Sequence, residues 1–133
     1  MDAALRSQVR QRARNRCEYC RIRQEDDPFY SFHVEHIVPR QHEGLDESGN
    51  LALACYHCNR HKGPNLSALD PETGRMTRLF NPRSDVWDAH FQVVGVVVSG
   101  RTPIGRATSR LFKMNAVPCL DLRTELAARN RWP

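Results

Sequence analysis

The chain has 133 residues, of which 40% are hydrophobic and 26% charged. That balance suits a single globular domain with a modest core and excludes a disordered or fibrous class. Twenty Lys and Arg against fifteen Asp and Glu leave a net charge of +5. Most of the basic side chains are Arg, whose planar fork suits phosphate, so the balance points toward a polyanionic partner. The longest apolar stretch, residues 93–98 interrupted by Gly95, falls far short of the roughly 20 residues that span a bilayer. The opening Met-Asp-Ala-Ala-Leu-Arg lacks the apolar segment of a secretory signal, and the expected location is cytoplasmic.

Residues 3–16 read as a helix. Leu5, Val9 and Ala13 recur on one face, and Arg6, Arg10 and Arg14 line another. That basic face is either solvated or a DNA-backbone contact surface. Residues 25–29 form a loop. Tyr30 to Val38 carries the aromatic and β-branched content of a strand, stopped by Pro39. A polar connection over 40–49 leads to a second short strand, Leu51–Ala54. Tyr56–Lys62 follows as a helix closed by Gly63 and Pro64. Further on, 70–74 is a turn and Met76–Phe80 a strand. Gln92–Ser99 is a Val-rich strand bent at Gly95. Thr102-Pro103 caps a helix through Met114, with Ile104, Ala107, Leu111 and Met114 on one face. Pro118 opens a last helix carrying Leu122 and Leu126.

Five cysteines occur, four of them as Cys17-x-x-Cys20 and Cys55-x-x-Cys58. Two intervening residues let both thiolates of a knuckle turn toward one tetrahedral ion, and two knuckles complete a four-cysteine structural zinc site. The long separation of the pairs means that the ion staples segments with something folded between them. A disulfide framework fits poorly, because Cys119 is left over and no secretory signal is visible. Cys119 lies in an apolar stretch, where a buried free thiol is the default.

Between and around the knuckles lie Glu35-His36-Ile37-Val38-Pro39, then Asn50-Leu51 running to Cys55, then Cys58-Asn59-Arg60-His61-Lys62-Gly63. In order and spacing these motifs resemble the HNH (His-Asn-His) endonuclease family with flanking zinc knuckles. The resemblance runs from Cys17 to Gly63, and Leu79 to Arg83, Trp87 and His90-Phe91 are similar to the downstream part of one bacterial subgroup. It implies a ββα-metal fold, two antiparallel strands packed on one helix. The fold class expected is therefore α+β, a ββα-metal core stapled by the four-cysteine zinc site, with an N-terminal helix and a C-terminal strand-helix extension. The chain is expected to form one domain over 1–133, its core about 17–64 and its extension about 65–133.

The resemblance also implies roles. His36 matches the general base, and imidazole titrates near neutral pH. Asn50 matches the asparagine that braces the loop and orients that ring. Glu35 and Asn59 match the ligands of a catalytic divalent ion. On a strand, Glu35 and His36 point to opposite faces, so one can hold a metal while the other reaches water. A carboxylate with an amide oxygen favours Mg²⁺ or Mn²⁺, although a site with a histidine also accepts Zn²⁺ or Ni²⁺. The implied activity is metal-dependent hydrolysis of DNA phosphodiester bonds. RNA as substrate, or a zinc-stapled nucleic-acid-binding module without catalysis, are the alternatives. Arg40, His61 and Lys62 are candidates for contact with nucleic acid, against the plainer reading of solvated charge. His33, sharing the face of Glu35, either supports it or is a structural strand histidine. No membrane partner is expected, and a second copy of the chain is a candidate partner.

Overall fold

A computed structural model describes all residues, 1–133. The elements are short, and they gather into two compact units. Residues 1–65 with 81–84 form the first, and residues 66–80 with 85–133 the second.

The first unit begins with helix α1, Ala3–Arg12, capped by Asp2, whose Oδ1 accepts from Leu5 N–H at 2.8 Å. The helix stops short of residue 16 because Arg14 and Asn15 both take left-handed conformations, φ 54°. These turn the chain into the first cysteine knuckle, where Gln24 N–H donates to the Asn15 carbonyl. Val9 is fully buried. Part of the basic face is spent inside the fold. Arg10 donates to the Phe32 carbonyl at 2.9 Å, and Arg12 to the carbonyls of Ser48 and Leu51 at 3.0 and 2.8 Å.

Strand β1 is His33–His36, shorter than its composition suggests, and pairs antiparallel with β2, Leu51–Ala54. His36 faces Leu51, and His33 faces Ala54. Side-chain bonds trim β1 at both ends. The Phe32 N–H is taken by Gln24 Oε1 at 2.6 Å and the Val38 N–H by Asn50 Oδ1 at 2.8 Å. Every residue of β2 is buried. Helix α2, Tyr56–Lys62, begins at Cys55, whose Sγ accepts from Cys58 N–H. β1, β2 and α2 are thus a ββα unit with the second cysteine knuckle at the start of its helix.

The second unit contains two hairpins and three helices. Strand β3, Ser67–Leu69, pairs with β4, Met76–Arg78; β3 was not anticipated, and β4 ends two residues early. After a short helix α3, Trp87–His90, the Val-rich segment is a hairpin rather than one bent strand. Its strands are β5, Phe91–Val94, and β6, Val97–Gly100. Gly95, φ 63°, occupies the first central position of the two-residue turn, which few other residues tolerate. Helix α4, Pro103–Leu111, is capped by Thr102 Oγ1 on Gly105 N–H at 3.1 Å, and α5 is Val117–Ala128. Phe80 and Trp87 both pack on Phe91, with ring centroids 5.2 and 5.1 Å away. Cys119 is half-exposed rather than buried, because α5 turns its start outward. No helix is long and apolar enough to cross a membrane.

Candidate active site and metal centre

The four knuckle cysteines converge. Cys17, Cys20, Cys55 and Cys58 are all buried, with sulfurs within 4.8 Å of one another. Backbone amides already donate to two of them, Cys20 N–H to Cys17 Sγ and Cys58 N–H to Cys55 Sγ. Burial pushes the Cys17 thiol up but is outweighed by hydrogen bonds from the other three sulfurs, which hold it well below the ordinary value. The same sharing, led by Cys17, pushes Cys55 and Cys58 up. Four soft donors closing on one point can all ionise only around a cation, and the set fits tetrahedral zinc.

Beside this cluster, β1 divides its last two side chains as strand geometry requires. Glu35 is 7% exposed, and its Oε1 accepts the hydroxyl proton of Tyr19, itself fully buried inside the first knuckle. Its Oε2 lies 3.2 Å from Lys62 Nζ, and the same ammonium donates to the His36 carbonyl at 3.0 Å. Burial pushes the Glu35 carboxyl up, opposed by the charge of Lys62 and by the two hydrogen bonds. Burial and the neighbouring Glu35 push the Tyr19 phenol well up, so it is a donor throughout the physiological range. Asn59, half-buried, sits one turn before Lys62 on α2 and so shares the face that docks on β1. Its side-chain amide makes no hydrogen bond within the protein.

His36 turns the other way, its side chain 17% exposed, and its Nε2 lies 2.6 Å from Asp46 Oδ1. Asp46 also receives Arg40 Nη2, 3.0 Å from each oxygen, and the Met1 amino group at 3.1 Å. These partners, His36 foremost, hold the Asp46 carboxyl well below the usual carboxylate range. The loop between β1 and β2 is closed by Asn50. Its Nδ2 donates to the carbonyls of Val38 and Leu45 at 3.0 Å each, while its Oδ1 accepts from Val38 N–H.

A family model described as HNH endonuclease matches residues 17–65. The segment is an HNH domain. The match takes in both cysteine knuckles and all of β1, β2 and α2, so the ββα arrangement is the HNH core. No curated protein and no solved structure matches the chain.

Within the HNH domain the candidate residues divide into two groups. Glu35 lies on the packed face between β1 and α2, with Asn59 one turn before Lys62 on α2, and His36 and Asn50 lie on the loop side. Lys62, read from sequence as a nucleic-acid contact, is 2% exposed, and its amine is turned inward onto β1. Arg40 keeps an exposed guanidinium but spends one edge on Asp46. His61, half-buried, has Nδ1 2.8 Å from the His57 carbonyl and its ring 4.2 Å from that of His57. His33 is exposed, 6.4 Å from the Tyr56 ring, and does not bond Glu35.

Two residues of the site escaped the sequence reading. Tyr19 carried a usable signal, since a tyrosine enclosed by the two cysteines of a knuckle needs a partner for its hydroxyl. Asp46 carried none beyond its charge in a polar loop.

Proposed function

We propose that this protein is a metal-dependent endonuclease that hydrolyses phosphodiester bonds of DNA, with His36 as general base. The observation that carries this reading is the division of labour on β1. A buried carboxylate at Glu35 adjoins an outward imidazole at His36, inside a segment that matches the HNH pattern. Phosphodiester hydrolysis needs an activated water and positive charge at the leaving oxygen.

Glu35 and the unengaged amide of Asn59 supply hard oxygen donors on one face, which fits Mg²⁺ or Mn²⁺ better than a soft ion. Both Glu35 oxygens keep a free lone pair beyond the bonds to Tyr19 and Lys62. Glu35 and Asn59 would hold a divalent cation, which would supply Lewis-acid charge for the departing 3′-oxygen. His36 removes the proton of the attacking water, Asn50 holds the loop that follows it, and Lys62 fixes α2 against β1. Cys17, Cys20, Cys55 and Cys58 would hold zinc, which would anchor the start of α2 and thereby the position of Asn59.

Plasmid nicking with Mg²⁺, Mn²⁺ or chelator tests the reading. His36→Ala is expected to abolish cleavage while keeping the zinc and the fold. Near-normal cleavage by that variant refutes the assignment. DNA binding by the wild-type chain without cleavage under any metal would leave a nucleic-acid-binding module instead, and cleavage confined to RNA would change the substrate.

A further inference from the structure

The His36 ring has two nitrogens, and the structure treats them differently. Nε2 lies 2.6 Å from Asp46 Oδ1, whereas Nδ1 has no hydrogen-bond partner in the protein. An ionised carboxylate can only accept, so the nitrogen facing it must carry a proton. In a neutral imidazole the other nitrogen then has the lone pair. The His36–Asp46 contact therefore selects one tautomer.

Resting on the nuclease reading above, we propose that Asp46 is the positioning residue of this site. Its carboxylate takes the Nε2–H of His36 and fixes the ring in the tautomer whose Nδ1 lone pair accepts the proton of the attacking water. In that step a water O–H bond breaks and its proton passes to Nδ1. The electron pair stays on the oxygen, which bonds phosphorus as the P–O3′ bond breaks and its pair leaves with the 3′-oxygen. The imidazolium that results is stabilised by the same carboxylate.

Three features make Asp46 a fixed acceptor rather than a chance surface partner. Arg40 Nη2 bridges both of its oxygens at 3.0 Å, which restrains its rotation. The preceding residue is tied down, since the Leu45 carbonyl accepts from Asn50 Nδ2 at 3.0 Å. Gly44 N–H closes the same loop onto the Pro39 carbonyl at 3.0 Å. Asn50 and Asp46 thus divide the work, the first holding the loop and the second the ring. The low proton affinity of Asp46 keeps it an acceptor across the working range.

The test has two independent arms, both on the zinc-loaded full chain. The first is nitrogen-15 NMR of the His36 ring at about pH 8, above the ordinary histidine range. The expected spectrum has Nδ1 unprotonated and Nε2 protonated, and the reverse tautomer overturns the proposal. The second arm is plasmid nicking with Mn²⁺ by Asp46→Asn, whose amide can present N–H to the ring and favour the wrong tautomer. Its kcat is expected to fall by about 10²–10⁴-fold, the range of general-base assistance, with KM changed less than about twofold. A kcat within about threefold of wild type overturns the proposal, because a lost base would cost far more. Should Asp46→Asn fail to fold, the wild-type ring spectrum decides alone. A wild-type chain that cleaves nothing defeats the nuclease reading, whereas the ring spectrum still answers for Asp46.

Discussion

Lys62 and Glu35 form an ion pair between α2 and β1, 3.2 Å apart, at side chains that are almost wholly enclosed. Because the same ammonium also binds the His36 carbonyl, one side chain from the helix touches two successive residues of the strand. Tyr19 closes the arrangement from the first cysteine knuckle through its bond to Glu35. The carboxylate is thereby tied at once to the helix and to the thiolate cluster. This restraint removes in advance the side-chain entropy that a free glutamate would lose on binding a ligand.

Removing the amine leaves a buried carboxylate without its counter-charge. Lys62→Met is expected to cost about 3 kcal/mol, toward the lower end for breaking buried pairs because Glu35 can protonate. The double variant Glu35→Gln with Lys62→Met should lose less than Lys62→Met alone. Urea unfolding of the three proteins measures this, and an unchanged midpoint for Lys62→Met would contradict it.

Zinc content should be one per chain, bound by Cys17, Cys20, Cys55 and Cys58. Chelation, or Cys58→Ser, is expected to remove fixed tertiary structure from residues 1–65, because metal binding and folding are coupled in such clusters. Elemental analysis and amide exchange of β2 and α2 check this. A protected β2 in the zinc-free chain is the contrary result.

The loop beside His36 has no room at Gly44. A Cβ there would lie 1.6 Å from the Val38 carbonyl oxygen, a backbone atom that cannot swing away. Gly49, in the same loop, would meet nothing within 4 Å. Gly44→Ala is expected to cost about 2 kcal/mol as an overpacking change. Gly49→Ala should stay within about 0.5 kcal/mol. Thermal melting of both variants separates them.

In the second unit Asp70, fully buried, is gripped by Arg106 Nε and Nη2 at 2.9 Å each. Arg106 foremost, with Glu72 N–H and Thr73 Oγ1, holds its carboxyl well below the usual range. A depressed folded-state pKa stabilises fully above the unfolded value, about 3.9 for aspartate, and is lost as pH falls below it. The melting temperature should therefore drop on going from neutral pH to below about pH 4. Asp70→Asn, already lower at neutral pH, should show a smaller drop.

The ββα core was readable because its signals are local. Cys-x-x-Cys spacing, the Gly63-Pro64 stop and the alternation at Glu35-His36 each act within a few residues, and each holds in the fold. What escaped depends on contacts distant in sequence. Nothing near Arg10 or Arg12 announces that their guanidinium groups fasten α1 to the carbonyls of Phe32, Ser48 and Leu51. Lys62 reads as a surface charge until the fold places Glu35 beneath it. The Val-rich run of β5 and β6 has one composition throughout, so only the positive φ at Gly95 separates a hairpin from a bent strand.

Residues 81–84 return to the first unit, where Arg83 binds Glu18 and the Leu51 carbonyl, while Glu18 Oε2 accepts from Leu53 N–H. A fragment ending at Asn65 would therefore shed the Arg83 clasp on the edge of β2 and leave Glu18 with the Leu53 amide but without its counter-charge. A piece reaching Ser84 keeps that clasp, so the first unit is continuous in space but not in sequence.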